Sequence, residues 1–362
     1  MLIAFSPLFR RDFWRCLDHN STQIHSNQQW RTTIMKAKFL FVMTFIVVLG
    51  ASVHHKALAD EEVDRIEILT FESMTLTDQQ FLQGIKDGTP VTIAGELRFP
   101  RNNKMKQYPV VLLVHGSGGI SGYVDDWARE LNKLGVAVFI LDSFSGRGLY
   151  KINNDQGKLG RLAMIVDAYR ALDVLAKHER IDSKRIAIMG FSRGGQVALD
   201  SSFRRFWQIQ GTGSGSEFAA YFPFYPACMT RYKDDENVVN KPIHIFHGSA
   251  DNYAPVAPCR GYVSRVRNNG KNIVLHEYAG AHHVFDYKKL VKPIVMKKAP
   301  TTRNCVLAET TNGQIVNAQS GKPFTYSDPC VEYGPTIAFN ENAYNQAKKT
   351  LTTLISSIFE LN

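Results

Sequence analysis

No two of the five cysteines are spaced Cys-x-x-Cys, and no dinucleotide-type glycine pattern or P-loop occurs anywhere in the chain. The first absence speaks against zinc-ribbon and thioredoxin-like sites, and the second against nucleotide cofactors. No cofactor and no metal is therefore expected. Internal repeats are missing too, which argues against solenoid and propeller architectures. Past residue 59 there is no run of Lys and Arg interleaved with aromatics. The first 59 residues hold seven of the 43 Lys/Arg and two of the 33 Asp/Glu, so the remainder carries +5 of the formal +10. The basic excess belongs largely to the N-terminal segment, and no nucleic-acid partner is expected.

Only one long uncharged apolar run exists, "FLFVMTFIVVLGASV", beginning at Phe39. Lys36 and Lys38 precede it, and Ala57-Leu58-Ala59 follows as a small-x-small cleavage site. A basic start, an apolar core too short to span a bilayer comfortably and a small-residue exit are the parts of a secretory signal. Residues 1–59 are read as an N-terminal extension and cleavable signal, with Met35 as the start of translation and cleavage before Asp60. The protein is expected to be exported, to a periplasm or beyond, and to keep no membrane span once the signal is removed.

Export changes what the cysteines mean. Cys16 lies in the discarded segment, leaving Cys228, Cys259, Cys305 and Cys330. An even number in an oxidising compartment favours disulfides. The expected pairs are Cys228 with Cys259, joining segments predicted to be neighbours, and Cys305 with Cys330, bracketing one loop-like stretch.

From residue 60 onward, short apolar runs such as "PVVLLVHG", "VAVFILD", "RIAIMG" and "PIHIFHG" alternate with helical periodicity. Nearly continuous Val, Ile and Leu marks strands buried on both faces of a parallel sheet. The clearest helix is predicted over 159–176, and the last over 343–361. Together they predict an α/β domain over 60–362 with a doubly wound, mostly parallel sheet. The stretch 287–333 breaks the alternation and carries the turn signal Asn312-Gly313. It reads as an insertion, either a lid beside the active site or a peripheral hairpin.

The chemistry centres on "IAIMGFSRGG". A strand that stops at Gly190, presents Ser192 and continues through Gly194 into a helix-like stretch is a sharp strand-to-helix turn that exposes one hydroxyl. Such a serine needs a base and an acid downstream. "PIHIFHGSADNYAP" supplies Asp251, and "NIVLHEYAGAHHVFD" supplies His282 and His283, each in a loop after a strand. On the residues alone either histidine serves as base. Oxyanion donors are expected from the backbone N–H of Arg193 at the helix start, and of Ser117, with Gly118 next, in "VHGSGG". His115 precedes the acid in sequence and reads as structural. Arg147 is placed either against a substrate carboxylate or in a salt bridge.

These residues resemble the α/β-hydrolase superfamily, and within it the dienelactone hydrolase-like proteins. Besides the serine turn, "LDSFSGRG", "YPAC", "DNYAPVAPC" and "GAHHVFD" are similar to segments of exported members. The resemblance covers about residue 89 to the C-terminus. Matching Gly-Ala-x-His-x-Phe-Asp implies His283 as base, with His282 a neighbour at the site. Dienelactone hydrolases proper carry cysteine where this chain has Ser192, so their cyclic substrate does not transfer. The resemblance implies a carboxylic ester hydrolase acting on a small-molecule ester through an acyl-enzyme. The alternatives are a serine peptidase of the same fold and a non-catalytic binding protein. Sequence gives neither the ester nor the oligomeric state.

Overall fold

The computed structural model describes residues 63–101 and 105–361. The extension, the signal and its cleavage site lie outside the described residues, as does Cys16. Strand β1 (Val63–Thr75) leads through helix α1 (Asp78–Leu82) to β2 (Thr89–Pro100) and β3 (Tyr108–Val114), then α2 (Gly122–Lys133) and β4 (Ala137–Asp142). Helix α3 (Ala163–Ala176), β5 (Ile181–Phe191), α4 (Arg193–Asp200), α5 (Arg204–Gln210) and β6 (Tyr221–Phe224) follow. After β7 (Thr230–Arg231) come β8 (Ile243–Gly248), α6 (Val256–Asn268) and β9 (Ile273–Tyr278). Short strands β10 (Ile294–Val295), β11 (Pro300–Thr301), β12 (Leu307–Glu309), β13 (Ile315–Asn317), β14 (Glu332–Tyr333) and β15 (Thr336–Ile337) precede the final helix α7 (Glu341–Ile358).

Eight strands form one sheet in the order β1-β2-β4-β3-β5-β6-β8-β9. The pairs β1/β2 and β2/β4 are antiparallel, and the remaining neighbours are parallel. Strand β3 shows why the apolar runs are continuous. Tyr108, Val110, Leu112 and Val114 enter the core shared with α3 and α6, while Val111 and Leu113 enter the core shared with α2 and α7. Helices cover both faces, so neither set of alternate residues meets water. Among the described residues no helix is long and apolar enough to cross a membrane.

Three predicted elements differ in extent. The helix expected from residue 159 begins at Ala163. Its first turn is undone by competing partners: the Arg193 guanidinium takes the carbonyls of Gln156, Leu159 and Gly160, and Asp78 Oδ1 accepts the Leu162 N–H. The segment "FAAYFPFYP", one of the apolar runs that alternate with helical periodicity and so expected as a strand, forms a strand only over Tyr221–Phe224. The last helix starts two residues earlier than read, at Glu341, where the Asn340 side chain accepts the Ala343 N–H as an N-cap.

Both predicted disulfides form. Cys228–Cys259 ties the loop after β6 to α6, and Cys305–Cys330 closes the 287–333 stretch on itself. That stretch contains the β12–β13 hairpin, with Gly313 at φ 77° in its turn. It is pinned to the loop after β8: Thr301 Oγ1 donates to Tyr253 O and Arg303 Nη1 to Asn252 O, and just past its end the Thr336 N–H donates to Asn252 Oδ1.

Candidate active site

Four loops at the C-terminal ends of parallel strands converge, those after β3, β5, β8 and β9, in the crevice where open α/β sheets bind ligands. Ser192 stands between β5 and α4 with φ 55° and ψ −112°. That strained conformation is held by close backbone packing. A Cβ on Gly190 would run into the carbonyl oxygen of Gly194, and one on Gly194 into that of Val114. Only glycine at both positions lets helix and strand approach closely enough to lift the serine out of the sheet.

The side chains form an unbroken relay. Ser192 Oγ lies 2.8 Å from His283 Nε2, and His283 Nδ1 lies 2.6 Å from Asp251 Oδ2. The other carboxylate oxygen, Oδ1, accepts the N–H groups of Tyr253 and Ala254 at 2.8 and 2.9 Å. Burial works to raise the Asp251 pKa. The adjacent His283 charge and hydrogen bond, with His247 and the Ala254 N–H, outweigh it and hold the carboxyl below its usual range. An ionised Asp251 fixes the His283 tautomer with its proton on Nδ1 and leaves Nε2 free to accept from Ser192. His283 and Asp251 are buried, whereas Ser192 is half-buried and reachable.

The loop that carries His283 is clamped. Tyr225 and Tyr253 pack on the His283 ring with centroids 4.7 and 4.8 Å away. Three residues on, buried Asp286 accepts from Trp127 Nε1 and from the Tyr225 hydroxyl, both at 2.8 Å. Burial pushes the Asp286 pKa up to about 6. Asp286 thus anchors the loop and is no second acid for His283.

The N–H of Arg193 begins α4 and has no carbonyl of its own helix to meet. Among the described residues no hydrogen bond runs from the N–H of Ser117, Gly118 or Arg193. The loop after β3 is shaped by buried His115. Its Nε2 accepts the Ser143 N–H at 3.3 Å, which puts the ring proton on Nδ1, donated to Gly116 O at 2.8 Å. Gln156, not singled out in the sequence, ties three loops together. Its Oε1 accepts from Ser117 Oγ at 2.8 Å and from Arg193 Nη2 at 2.9 Å, and its Nε2 donates to the Tyr253 hydroxyl at 3.2 Å. A polar residue in a featureless loop carries no motif, so nothing in the sequence marked it.

Two cavities meet at Ser192. One is the more polar, with Gln156, Arg161, Arg193, Thr302 and Tyr326 in its walls; the other is largely apolar, with Tyr123, Tyr287, Leu290, Met296 and Ile337. Gly118 lines the second, and Ser117, Ser192, Tyr253 and His283 line both. The 287–333 stretch therefore contributes walls to both sides. Among the described residues neither Arg161 nor Arg193 is in an ion pair.

Two expected contacts are not in the cavities. Arg147 turns beneath the site into a buried bidentate pair with Asp167, at 2.8 and 3.0 Å, and also donates to Thr75 Oγ1. The substrate-contact reading of Arg147 is corrected to the salt bridge. His282 lies beside His283 in sequence, yet lines neither cavity and does not touch Ser192. Successive residues of the loop point apart, and His283 is the one turned inward. Among the described residues no three His, Cys, Asp or Glu side chains gather as metal ligands would.

A profile of the dienelactone hydrolase family matches residues 93–303. Comparison with curated proteins gives no match. Among solved structures, a dienelactone hydrolase-like promiscuous phosphotriesterase from metagenomic libraries superposes with a TM-score of 0.52 at 16% identity, covering 80% of this chain and 98% of that one. A candidate dienelactone hydrolase from Klebsiella pneumoniae gives 0.51 at 12% identity, covering 80% and 99%. At such identities the likeness speaks for the fold.

Proposed function

The chain belongs to the dienelactone hydrolase family of the α/β-hydrolases, an enzyme family of ester hydrolases, and on that premise we propose that it is a serine-dependent carboxylic ester hydrolase working through an acyl-enzyme. The observation that carries this reading is the continuous Asp251–His283–Ser192 relay at the meeting point of two cavities. His283 Nε2 takes the Ser192 proton as Oγ attacks the ester carbonyl. The tetrahedral oxyanion is met by the N–H groups of Arg193 and Ser117, with Gly118 adjacent, and Asp251 stabilises the imidazolium. As the C–O bond breaks, His283 returns the proton to the leaving alcohol. Water then enters and attacks the acyl carbonyl as it gives a proton to His283, and as the bond to Ser192 Oγ breaks His283 returns that proton to Oγ, releasing the acid and free Ser192. Serine replaces the cysteine of dienelactone hydrolases proper, and the relay supplies the activation that a hydroxyl, unlike a thiol, requires at neutral pH.

Intact mass after treatment with a fluorophosphonate probe tests this reading. One adduct per chain is expected on the wild type and none on Ser192→Ala. A folded wild type that stays unlabelled would sink it. Export belongs to the same proposal. Two disulfides suit an oxidising compartment, and the N-terminal pattern supplies the route. Protein recovered from the producing cell should have a mass that begins at Asp60.

A further inference from the structure

The stretch from Lys288 to Lys298, "KKLVKPIVMKK", holds five lysines and no acidic residue. Among the described residues none of the five forms an ion pair, and all are exposed. Between them Val291, Ile294 and Val295 are 87, 48 and 54% exposed. Tyr333, 57% exposed, stands on β14 next to Gly334, which packs against the Val295 side chain, and the Met296 N–H donates to Pro335 O just beyond. Four of the large apolar side chains most open to water thus lie in, or next to, one short stretch that carries five lysines. Aliphatic residues and a tyrosine flanked by long cationic side chains match the zone between lipid headgroups and acyl chains. Water alone offers no compensation for leaving such residues exposed together.

We propose that this patch adsorbs the protein to an anionic lipid surface. The lysines meet headgroup phosphates while Val291, Ile294, Val295 and Tyr333 enter the interface. A second copy of the chain is the poorer occupant, because a two-fold contact would oppose the same lysines. The patch also adjoins the site. Leu290 and Met296 of the same stretch, with Ile337 across the ladder, line the apolar cavity beside Ser192. Adsorption places that cavity next to a phase in which apolar esters dissolve. The proposal rests on the patch alone and stands or falls separately from the role of Ser192.

Cosedimentation of the full chain tests it. The vesicles are either equal parts phosphatidylglycerol and phosphatidylcholine or phosphatidylcholine alone. The wild type should partition onto the anionic vesicles, less at high salt and little onto the neutral ones. Lys292→Glu with Lys297→Glu should weaken binding by at least about fivefold per lysine changed. Val291→Ser with Ile294→Ser should also weaken it severalfold. All forms share the N-terminal apolar run, so the difference between them reports the patch. An unchanged far-UV circular dichroism spectrum and thermal midpoint of both variants show that they are folded. Equal sedimentation of wild type and variants overturns the proposal, as does absence of wild-type binding. Binding to heparin with equal strength and indifference to the serine pair would mean a polyanion site and likewise overturn it. So would a dimer on sizing that the serine pair abolishes.

Discussion

The sheet and the 287–333 stretch build one site by opposite means. The sheet spends long strands buried on both faces to set Ser192, Asp251 and His283 at its edge. The stretch has strands of two or three residues and owes its shape to a disulfide, a hairpin and hydrogen bonds to the loop after β8. The placing of the Ser192–His283–Asp251 relay thus falls to loops held by long buried strands, and a share of the cavity walls falls to a stretch with little regular structure. Changes in the sheet's loops should therefore alter rate, and changes in the stretch should alter which substrate fits.

The sharpest break of that division is Ser192→Ala, which should lower kcat by about 10^4-fold or more while leaving the thermal midpoint nearly unchanged. The two disulfides then separate the regions by stability. Their loops are similar in length, with separations of 31 and 25 residues, so chain entropy assigns each about 3.5 kcal/mol. Replacing Cys228 and Cys259 by serine should lower the global unfolding midpoint. Replacing Cys305 and Cys330 should instead open the stretch to protease and raise KM while the sheet melts as before. Equal global losses would show that stretch and sheet unfold as one unit.

A pH experiment sharpens the sheet side. Folding raises the Asp286 pKa to about 6, so between about pH 4 and 6 the folded chain keeps a proton that the unfolded chain releases. Stability must fall as pH rises through that window, by up to about 3 kcal/mol from this group. Asp251 contributes with the opposite sign, since its depressed pKa stabilises the fold above the usual carboxylate range and is lost as pH falls. Asp286→Asn should remove the first slope, seen between about pH 4 and 6, and keep the second, seen below about pH 4, read as the difference in thermal midpoint between wild type and variant from about pH 2 to 7. The smallest effect expected is from Gln156→Ala, about tenfold in kcat with little change in KM, because Ser117, Arg193 and Tyr253 lose their common partner without leaving the site.

Much of this was legible in the sequence. Runs of Val, Ile and Leu announced the central strands because burial on both faces removes polar residues from them. The serine turn, Asp251 and the two histidines were visible because each must stand in a loop just after a strand. Choosing His283 over His282 required the resemblance, since periodicity cannot say which of two adjacent loop residues turns inward. The start of α3 was hidden because its competitors are remote: Arg193 and Asp78 capture the backbone groups that a first helical turn would use. Arg147 sits in a loop at the right edge of the sheet, but the buried carboxylate that claims it, Asp167, lies on a helix 20 residues away in sequence.

The 287–333 stretch leaves and rejoins the body at neighbouring points. The Asn340 N–H donates to Phe285 O, and the Ala338 N–H to His283 O. A loop whose ends are already tied together can grow, shrink or be exchanged at small entropic expense, since closure cost rises only with the logarithm of length. The arrangement is that of a cassette: its contents can be exchanged without reaching into the sheet, provided the knot beside His283 is kept.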